Sequence, residues 1–476
     1  MAANGPGQST VGEGGKQPGP RKRVLIEASK LADEKMDGIK RYVVELLREF
    51  SRLNPDGARI DLDIMIHDEV CPLADLPGGS RSQGESDGHR SWLSNLGGLF
   101  PPILLYPIRW LIPDWASRRF LGKAKSELQV PALHQSAGKL PLLLLPPILV
   151  GLFQKLIPER LVQYLWAKGT LEPLSKDVDP EPYDLIHLTL PNNHHYIRRT
   201  STPMLVTVHD LCHIACPQYQ TRANSVSLRM GLDRSVAAGA DFLTVSHATQ
   251  SQLVHQYGLA PGRVDTVHNG CSPEHFHPVQ HSVTRTKICR KYQIPDSPFL
   301  LALSTIEPRK NLARTIRAFD LIAEELNESK ISLVIAGARG WKSNKVIRAV
   351  KNSPRIHLTG YIADEDLASI YSSARGFVYI SHYEGFGLPL LEAMCCGVPV
   401  IYGNNSSMPE IVGDAGLAAD PGDIRDIARQ MRRLICDDEL VESLKLRALD
   451  RAAAFSWSGT AMQTMALYEK RLGLKR

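Results

Sequence analysis

The stretch Ser381-His382-Tyr383-Glu384-Gly385-Phe386-Gly387-Leu388-Pro389-Leu390-Leu391-Glu392-Ala393 decides how the rest of the chain is read. An apolar run, Gly376 to Ile380, ends just before it, and the residues after Gly387 carry a helical pattern. Pro389 is tolerated in the first turn of a helix, where its missing N–H has no partner to lose. The predicted order is strand, glycine loop, helix starting near Leu388. A helix that opens this way points free N–H groups and the positive end of its dipole at what lies in front of it, which suits a phosphate. Gly385 and Gly387 let the backbone approach closely. Glu384 falls on the loop, and Glu392 about one turn into the helix on the loop-facing side. Two carboxylates near a diphosphate do not ligate it, since like charges repel. They suit hydroxyls, one on a sugar and one on a ribose.

Working outward, the same alternation of strand and helix occurs in two series. The later one has apolar runs at Phe299 to Ser304, Ile331 to Ala336, Arg355 to Leu358, Gly376 to Ile380 and Pro399 to Tyr402. The earlier one has Val24 to Ile26, Ile60 to Ile66, Asp184 to Leu188, Met204 to Val208, Phe242 to Val245 and Arg263 to Val267. Alternation of this kind implies parallel sheets with helices on both faces, and ligands then sit at the carboxyl ends of the strands. At those ends stand Thr305-Ile306-Glu307-Pro308-Arg309-Lys310-Asn311 and Val208-His209-Asp210-Leu211. Adjacent cations such as Arg309 and Lys310 suit a departing diphosphate. Asp37-Gly38 precedes a helical pattern from Ile39 to Leu47. His209, Cys212, His213 and Cys216 invite a zinc reading, but their spacing fits no common zinc module. Asp61-Leu62-Asp63 and Asp177-Val178-Asp179 have the form of a metal-binding D-x-D, yet one lies inside a strand and the other before one, and both read as structural.

The 476 residues suit two domains, and 43% hydrophobic with 22% charged residues is an ordinary globular balance. A formal charge of +6 suits an anionic donor or membrane surface. No basic run is interleaved with aromatics, so no nucleic-acid partner is expected. Eight scattered cysteines without a CxxC pair point to a reducing cytoplasm. Residues 1–20, rich in Gly, Pro and Ser, read as a disordered tail rather than a targeting segment. Between about 90 and 170 the texture changes. Leu99 to Ile112 and Leu140 to Phe153 are mostly apolar but broken by prolines, with Trp110, Trp115, Arg118 and Lys139 nearby. Each is shorter than the about 20 residues of a membrane-spanning helix. Two readings stand: docking into one membrane leaflet, with tryptophans at headgroup depth, or packing on its own domain or a partner chain.

The segment 381–393 resembles the glutamate–seven residues–glutamate motif of family 4 retaining glycosyltransferases. Glu307-Pro308-Arg309-Lys310-Asn311, His209 at its strand end, and the single glycine of Asp37-Gly38-Ile39-Lys40-Arg41-Tyr42 are similar to further segments of that family. Some members carry an arginine where this chain has Ser304. Ala336 to Trp341, Gly360 to Leu367 and Phe455-Ser456-Trp457 extend the likeness, which covers about residues 21–75 and 180–475.

The resemblance implies the GT-B fold: α/β, two Rossmann-like domains facing across a cleft, here with an apolar insertion in the N-terminal one. The expected domains are 21–284 on the acceptor side, 285–455 for the nucleotide-sugar, and 456–476 as a helix returning to the N-terminal domain. It implies that Glu384 and His209 meet the donor sugar and Glu392 the ribose. Lys310, Arg309 and the backbone of Gly387 and Leu388 would meet the diphosphate, Gly38 would lie beside the phosphates, Gly385 and Phe386 would belong to the donor site, and Tyr361 and Ile362 would sit at the base. It further implies hexose transfer with retention, no metal, and no cofactor beside the nucleotide-sugar substrate. The versions of the His209 and Lys310 segments lean toward mannose from GDP-mannose. The apolar stretch favours a glycan or lipid-linked acceptor, reached by peripheral contact with the inner face of the membrane. A nucleotide-sugar epimerase or phosphorylase on the same fold, and a catalytically silent membrane-docked scaffold, are the alternatives. The scaffold would be expected to have lost His209, Lys310 or Glu384, and all three are present.

Overall fold

A computed structural model describes residues 21–75 and 178–474, apart from short gaps at 34–35, 54–58, 67–68, 193–199, 261, 280–281, 324, 327–329 and 352. The 1–20 tail and the apolar 90–170 stretch lie outside the described residues.

The first unit opens with β1 (Lys22–Glu27), α1 (Gly38–Leu53), β2 (Ile60–Ile66) and β3 (Glu69–Pro72). It continues with β4 (Leu185–Leu188), β5 (Met204–Val208), the short α2 (Cys212–Ala215), α3 (Arg222–Ala237), β6 (Asp241–Thr244), α4 (His247–Tyr257) and β7 (Val264–Thr266). Among the described residues its seven strands run in the order β3-β2-β1-β4-β5-β6-β7. All neighbours are parallel except β2 and β3. Val24, Leu25 and Ile26 are all fully buried, as a strand covered on both faces requires. Asp61 pairs with Arg21, and Asp63 takes Arg23 and the Tyr183 hydroxyl, so this D-x-D braces a strand.

The second unit begins with α5 (Ser282–Lys291), β8 (Phe299–Leu303), α6 (Leu312–Ala323), β9 (Ser332–Ala336), α7 (Asn344–Lys351), β10 (Ile356–Gly360) and α8 (Leu367–Ser373). Then come β11 (Gly376–Tyr379), α9 (Leu388–Cys395), β12 (Val400–Gly403), α10 (Met408–Val412), β13 (Gly416–Ala419), α11 (Ile424–Cys436), α12 (Asp438–Ala453) and α13 (Trp457–Arg471). The six strands are all parallel, in the order β10-β9-β8-β11-β12-β13. This is the doubly wound arrangement, whose strand order reverses beside β8 and β11. The sequence reading missed β3, a short and mostly exposed edge strand, and β13, whose Gly-Leu-Ala-Ala carries little strand propensity.

The polypeptide then returns to the first unit. α13 packs on α1, where Phe50 and Tyr468 rings lie 5.8 Å apart. The Tyr468 hydroxyl meets His187 Nδ1 at 2.6 Å, and His187 Nε2 meets Thr207 Oγ1 at 2.7 Å. Lys470 and Arg471 pair with Asp265, and Arg471 also with Asp241. The buried His187 ring is thereby fully partnered, and burial lowers its pKa to about 3. No helix among the described residues is long and apolar enough to cross a membrane.

Candidate active site

The strand order explains why distant segments meet. β8 and β11 are neighbours, so the turns that leave their carboxyl ends, 304–311 and 380–387, lie side by side. After β8, Pro308–Lys310 forms a single 3-10 turn closed by Asn311, which takes a left-handed φ of 56°. The carbonyl of Arg309 accepts the N–H of His382 at 2.8 Å, which ties one turn to the other.

Glu384 sits where the turns meet and is buried. It accepts from Arg309 Nη1 at 2.8 Å and from Lys310 Nζ at 2.6 Å. Burial pushes its carboxyl up, but the two cations outweigh it and hold the pKa at about 2. Lys310 also donates to the Tyr379 hydroxyl at 2.6 Å and lies over that ring. Burial and the neighbouring Arg309 depress its pKa. Arg309 is shared further with Glu307 at 3.0 Å and the Tyr383 carbonyl at 3.0 Å. The arrangement is a buried cluster of two cations and one carboxylate, backed by an acidic neighbour. An anionic group entering it has a charge to bind, and a sugar hydroxyl has a carboxylate to bind.

Gly387 precedes α9 with φ 103°, a conformation that disfavours any side chain with a Cβ. Leu388, first in α9, faces Gly38, first in α1: a Cβ on Gly38 would come 3.4 Å from Leu388 Cδ1. The starts of the two helices, one from each unit, are thus in contact; the Asp37 carboxylate already accepts the Lys40 N–H of α1 at 2.8 Å, whereas α9 has no side-chain cap and its N-terminus favours an anion. Ser407 Oγ donates to the carbonyls of Glu384 and Phe386 and fixes the loop's shape.

The loop is also held by the first unit. A Cβ on Gly385 would lie 1.8 Å from the carbonyl oxygen of His209. The Gly385 carbonyl accepts from Ser246 Oγ at 2.6 Å and Thr249 Oγ1 at 3.3 Å. Tyr383 donates to Gln252 at 2.6 Å and accepts the Leu211 N–H at 3.2 Å. His209 therefore packs its backbone against the loop that carries Glu384. Its Nε2 reaches the Thr189 carbonyl at 3.0 Å, so Nε2 carries the proton and Nδ1 the lone pair. Tyr42 packs edge-on at 4.8 Å, and burial lowers the ring's pKa to about 4. The imidazole is neutral at neutral pH.

Glu392 is buried deeper along α9. It accepts from the Tyr371 hydroxyl at 3.0 Å and lies 3.5 Å from Arg41 Nε of the first unit. Burial raises its pKa; Arg41 and Tyr371 pull it back only in part. Tyr361 and Ile362 follow β10 nearby: Ile362 is buried and Tyr361 is half exposed. Arg309, Lys310 and Glu384 are thus in contact, His209 and Gly38 of the first unit lie against the loop and helix start that follow, and Glu392 faces Arg41 of the first unit. Sequence reasoning missed Tyr379, Tyr371, Ser407 and Arg41. A parallel strand and its following turn name Tyr379, but no local pattern ties Tyr371 to Glu392.

Among the described residues one group of side chains has donor atoms close enough to share an ion: His247, His268 and Glu410, within 4.8 Å of one another. Its groups are already satisfied in another way. Glu410 accepts the N–H groups of His247 and Ala248 at the start of α4 and takes His268 Nε2 at 2.6 Å. A carboxylate of one unit thus caps a helix of the other.

A family model for glycosyl transferases group 1 matches residues 284–451, and one for glycosyltransferase family 4 matches residues 144–275. The chain is 35% identical over 268 residues to O-antigen chain mannosyltransferase B of Escherichia coli, covering 56% of this chain and 70% of that one. It is 32% identical over 222 residues to the serotype-specific mannosyltransferase WbdA of Escherichia coli, 46% of this chain but 27% of that one. In fold it is similar to sucrose-phosphate synthase from Thermosynechococcus elongatus, with a TM-score of 0.59 at 20% identity, over 96% of this chain and 100% of the other. Taken with the two doubly wound sheets and the cleft between them, these likenesses make the chain a member of the family 4 glycosyltransferases with the GT-B fold.

Proposed function

We propose that the protein transfers mannose from GDP-mannose, with retention and without a metal, to a glycan or lipid-linked acceptor. The observation that carries this reading is the Lys310–Glu384–Arg309 cluster in front of the α9 N-terminus. Two cations and a helix dipole supply at that spot the charge stabilisation that a metal ion supplies elsewhere. As the glycosidic bond breaks, Lys310, Arg309 and the α9 N–H groups take up the charge of the leaving diphosphate. Glu384 then holds a hydroxyl of the sugar, and Glu392 one of the ribose. The neutral His209 positions the sugar from the other side of the cleft. No carboxylate stands on that side as a nucleophile in this reading. The acceptor's proton passes to the leaving oxygen, on the face the diphosphate departs from. Mannose and the glycan acceptor rest on the likeness to the O-antigen chain and serotype-specific mannosyltransferases. The membrane contact and its inner-face location rest on the composition of residues 90–170 alone.

The test is thermal unfolding of the protein with GDP, UDP and ADP, each free and as sugar conjugate, followed by turnover with the stabilising donor. A ligand at about 100 times its Kd adds about 2.7 kcal/mol. Stabilisation by GDP and GDP-mannose, turnover that survives EDTA, and an axial-to-axial product by NMR are expected. A donor other than GDP-mannose corrects the sugar, and an inverted product removes the same-face mechanism.

A further inference from the structure

Of the segment Asp37–Tyr42, only Gly38 has a part in the proposed donor site. Arg41, in the first turn of α1, is largely buried at the seam between the units. Its Nε lies 3.5 Å from Glu392 Oε1 and its Nη2 3.4 Å from Asp364 Oδ1, both carboxylates of the second unit. Its guanidinium stands 5.2 Å over the Phe276 ring, and its charge reaches Tyr361. Both carboxylate distances exceed a normal N–H···O hydrogen bond. The guanidinium neutralises its neighbours while keeping donors to spend.

We propose that Arg41 is a nucleoside-binding residue supplied by the acceptor-side domain. It rests on the reading of the cleft as a nucleotide-sugar site. Oε2 of Glu392 is taken by Tyr371, and Oε1 keeps lone pairs facing Arg41. A hydroxyl is both donor and acceptor. It can give its proton to Glu392 Oε1 and accept from Arg41 with its oxygen, bridging the two from one side, since the 3.5 Å between them is too short to hold an atom. A phosphate does not suit this spot, because Glu392 and Asp364 flank it with two negative charges. Arg41 thus serves the ribose side and Lys310 the phosphate side. Because Arg41 and Glu392 belong to different domains, a hydroxyl held by both draws the domains together, so nucleoside binding and closure are coupled.

Calorimetry of the full chain with GDP, UDP and inorganic pyrophosphate tests this. Arg41→Ala should weaken the nucleotide bound by the wild type by about tenfold or more, the loss of one charge-assisted hydrogen bond, and leave pyrophosphate unchanged. Arg41→Gln, which keeps the length and removes the charge, should give the same pattern, and serves if Arg41→Ala does not fold. Unchanged nucleotide affinity overturns the inference. Equal loss of nucleotide and pyrophosphate also overturns it, since the residue then serves the phosphates or the fold. If the wild type binds neither nucleotide while remaining folded, the proposed function fails first, and Arg41 loses its ligand with it.

Discussion

Glu384 and Glu392 stand eight residues apart on one loop and one helix, both buried, yet their surroundings push them in opposite directions. Glu384 lies between two cations of its own domain at 2.6 and 2.8 Å, and they hold its pKa at about 2. Glu392 has a tyrosine from its own domain and a single cation from the other, at 3.5 Å, and burial keeps its pKa raised. One carboxylate is locked in a finished cluster. The other waits in an unfinished one that the facing domain helps to complete. The difference separates what a domain prepares in advance from what closure supplies.

The hardest blow to the comparison is to keep the domains apart. Gly385→Ala places a methyl group against the His209 backbone. Turnover should fall by about 100-fold or more, the cost of a misplacement near 1 Å, and the melting temperature should fall as well, because the Ser246 and Thr249 bonds to this loop are strained with it. Near-normal turnover would show that the observed contact is not the productive one. Next is Lys310→Ala, which removes a charge from the prepared cluster. Turnover should drop by at least about tenfold, measured with the donor that stabilises the wild type; an unchanged rate removes Lys310 from catalysis.

Stability sharpens the contrast. Glu384→Ala leaves the buried Lys310 without its carboxylate and Arg309 with Glu307 alone, and should cost about 3–5 kcal/mol in chemical unfolding. Glu392→Gln removes a carboxylate whose ionised form is disfavoured, so stability at neutral pH should hold or rise. The signs follow from linkage. Glu384, depressed on folding, contributes stability that is full above its ordinary value of 4.5 and lost as pH falls toward 2. Glu392, raised on folding, costs stability when ionised, a cost absent at low pH and complete once pH passes its folded value. If both variants destabilise equally at neutral pH, the two sites do not differ as described.

A gentler probe reads the histidines behind the site. His187 and His209 have pKa values lowered to about 3 and about 4. Their neutral forms contribute stability that is full above about 6.5 and lost as pH falls. Between pH 6 and 5 each should cost up to roughly 1.4 kcal/mol per pH unit, read from urea unfolding at each pH. His187→Gln should flatten part of that slope, and an identical slope would mean that the ring is solvated.

Much of this was legible in the chain. Gly387 before Leu388-Pro389 announces the α9 N-terminus because a left-handed residue and an early proline act on the local backbone. Arg309 and Lys310 follow an apolar run that could only be a strand end. Arg41 was equally visible but shared its motif with a glycine. Helical periodicity could not tell a solvent-facing cation from one that crosses a cleft. Tyr371 gave no signal, since its bond to Glu392 joins α8 to α9.

The sequence by itself determined the alternation of strand and helix, the glycine loop, and the residue types that follow each strand. These depend on propensities and hydrophobic periods that act over a few residues. Only the tertiary structure decided that β8 lies beside β11, bringing Lys310 onto Glu384 from 74 positions away. It alone set His209 against Gly385 and Arg41 against Glu392. Strand order and domain docking arise from the burial of whole sheet faces and helix stripes, a sum over the molecule that no short segment carries.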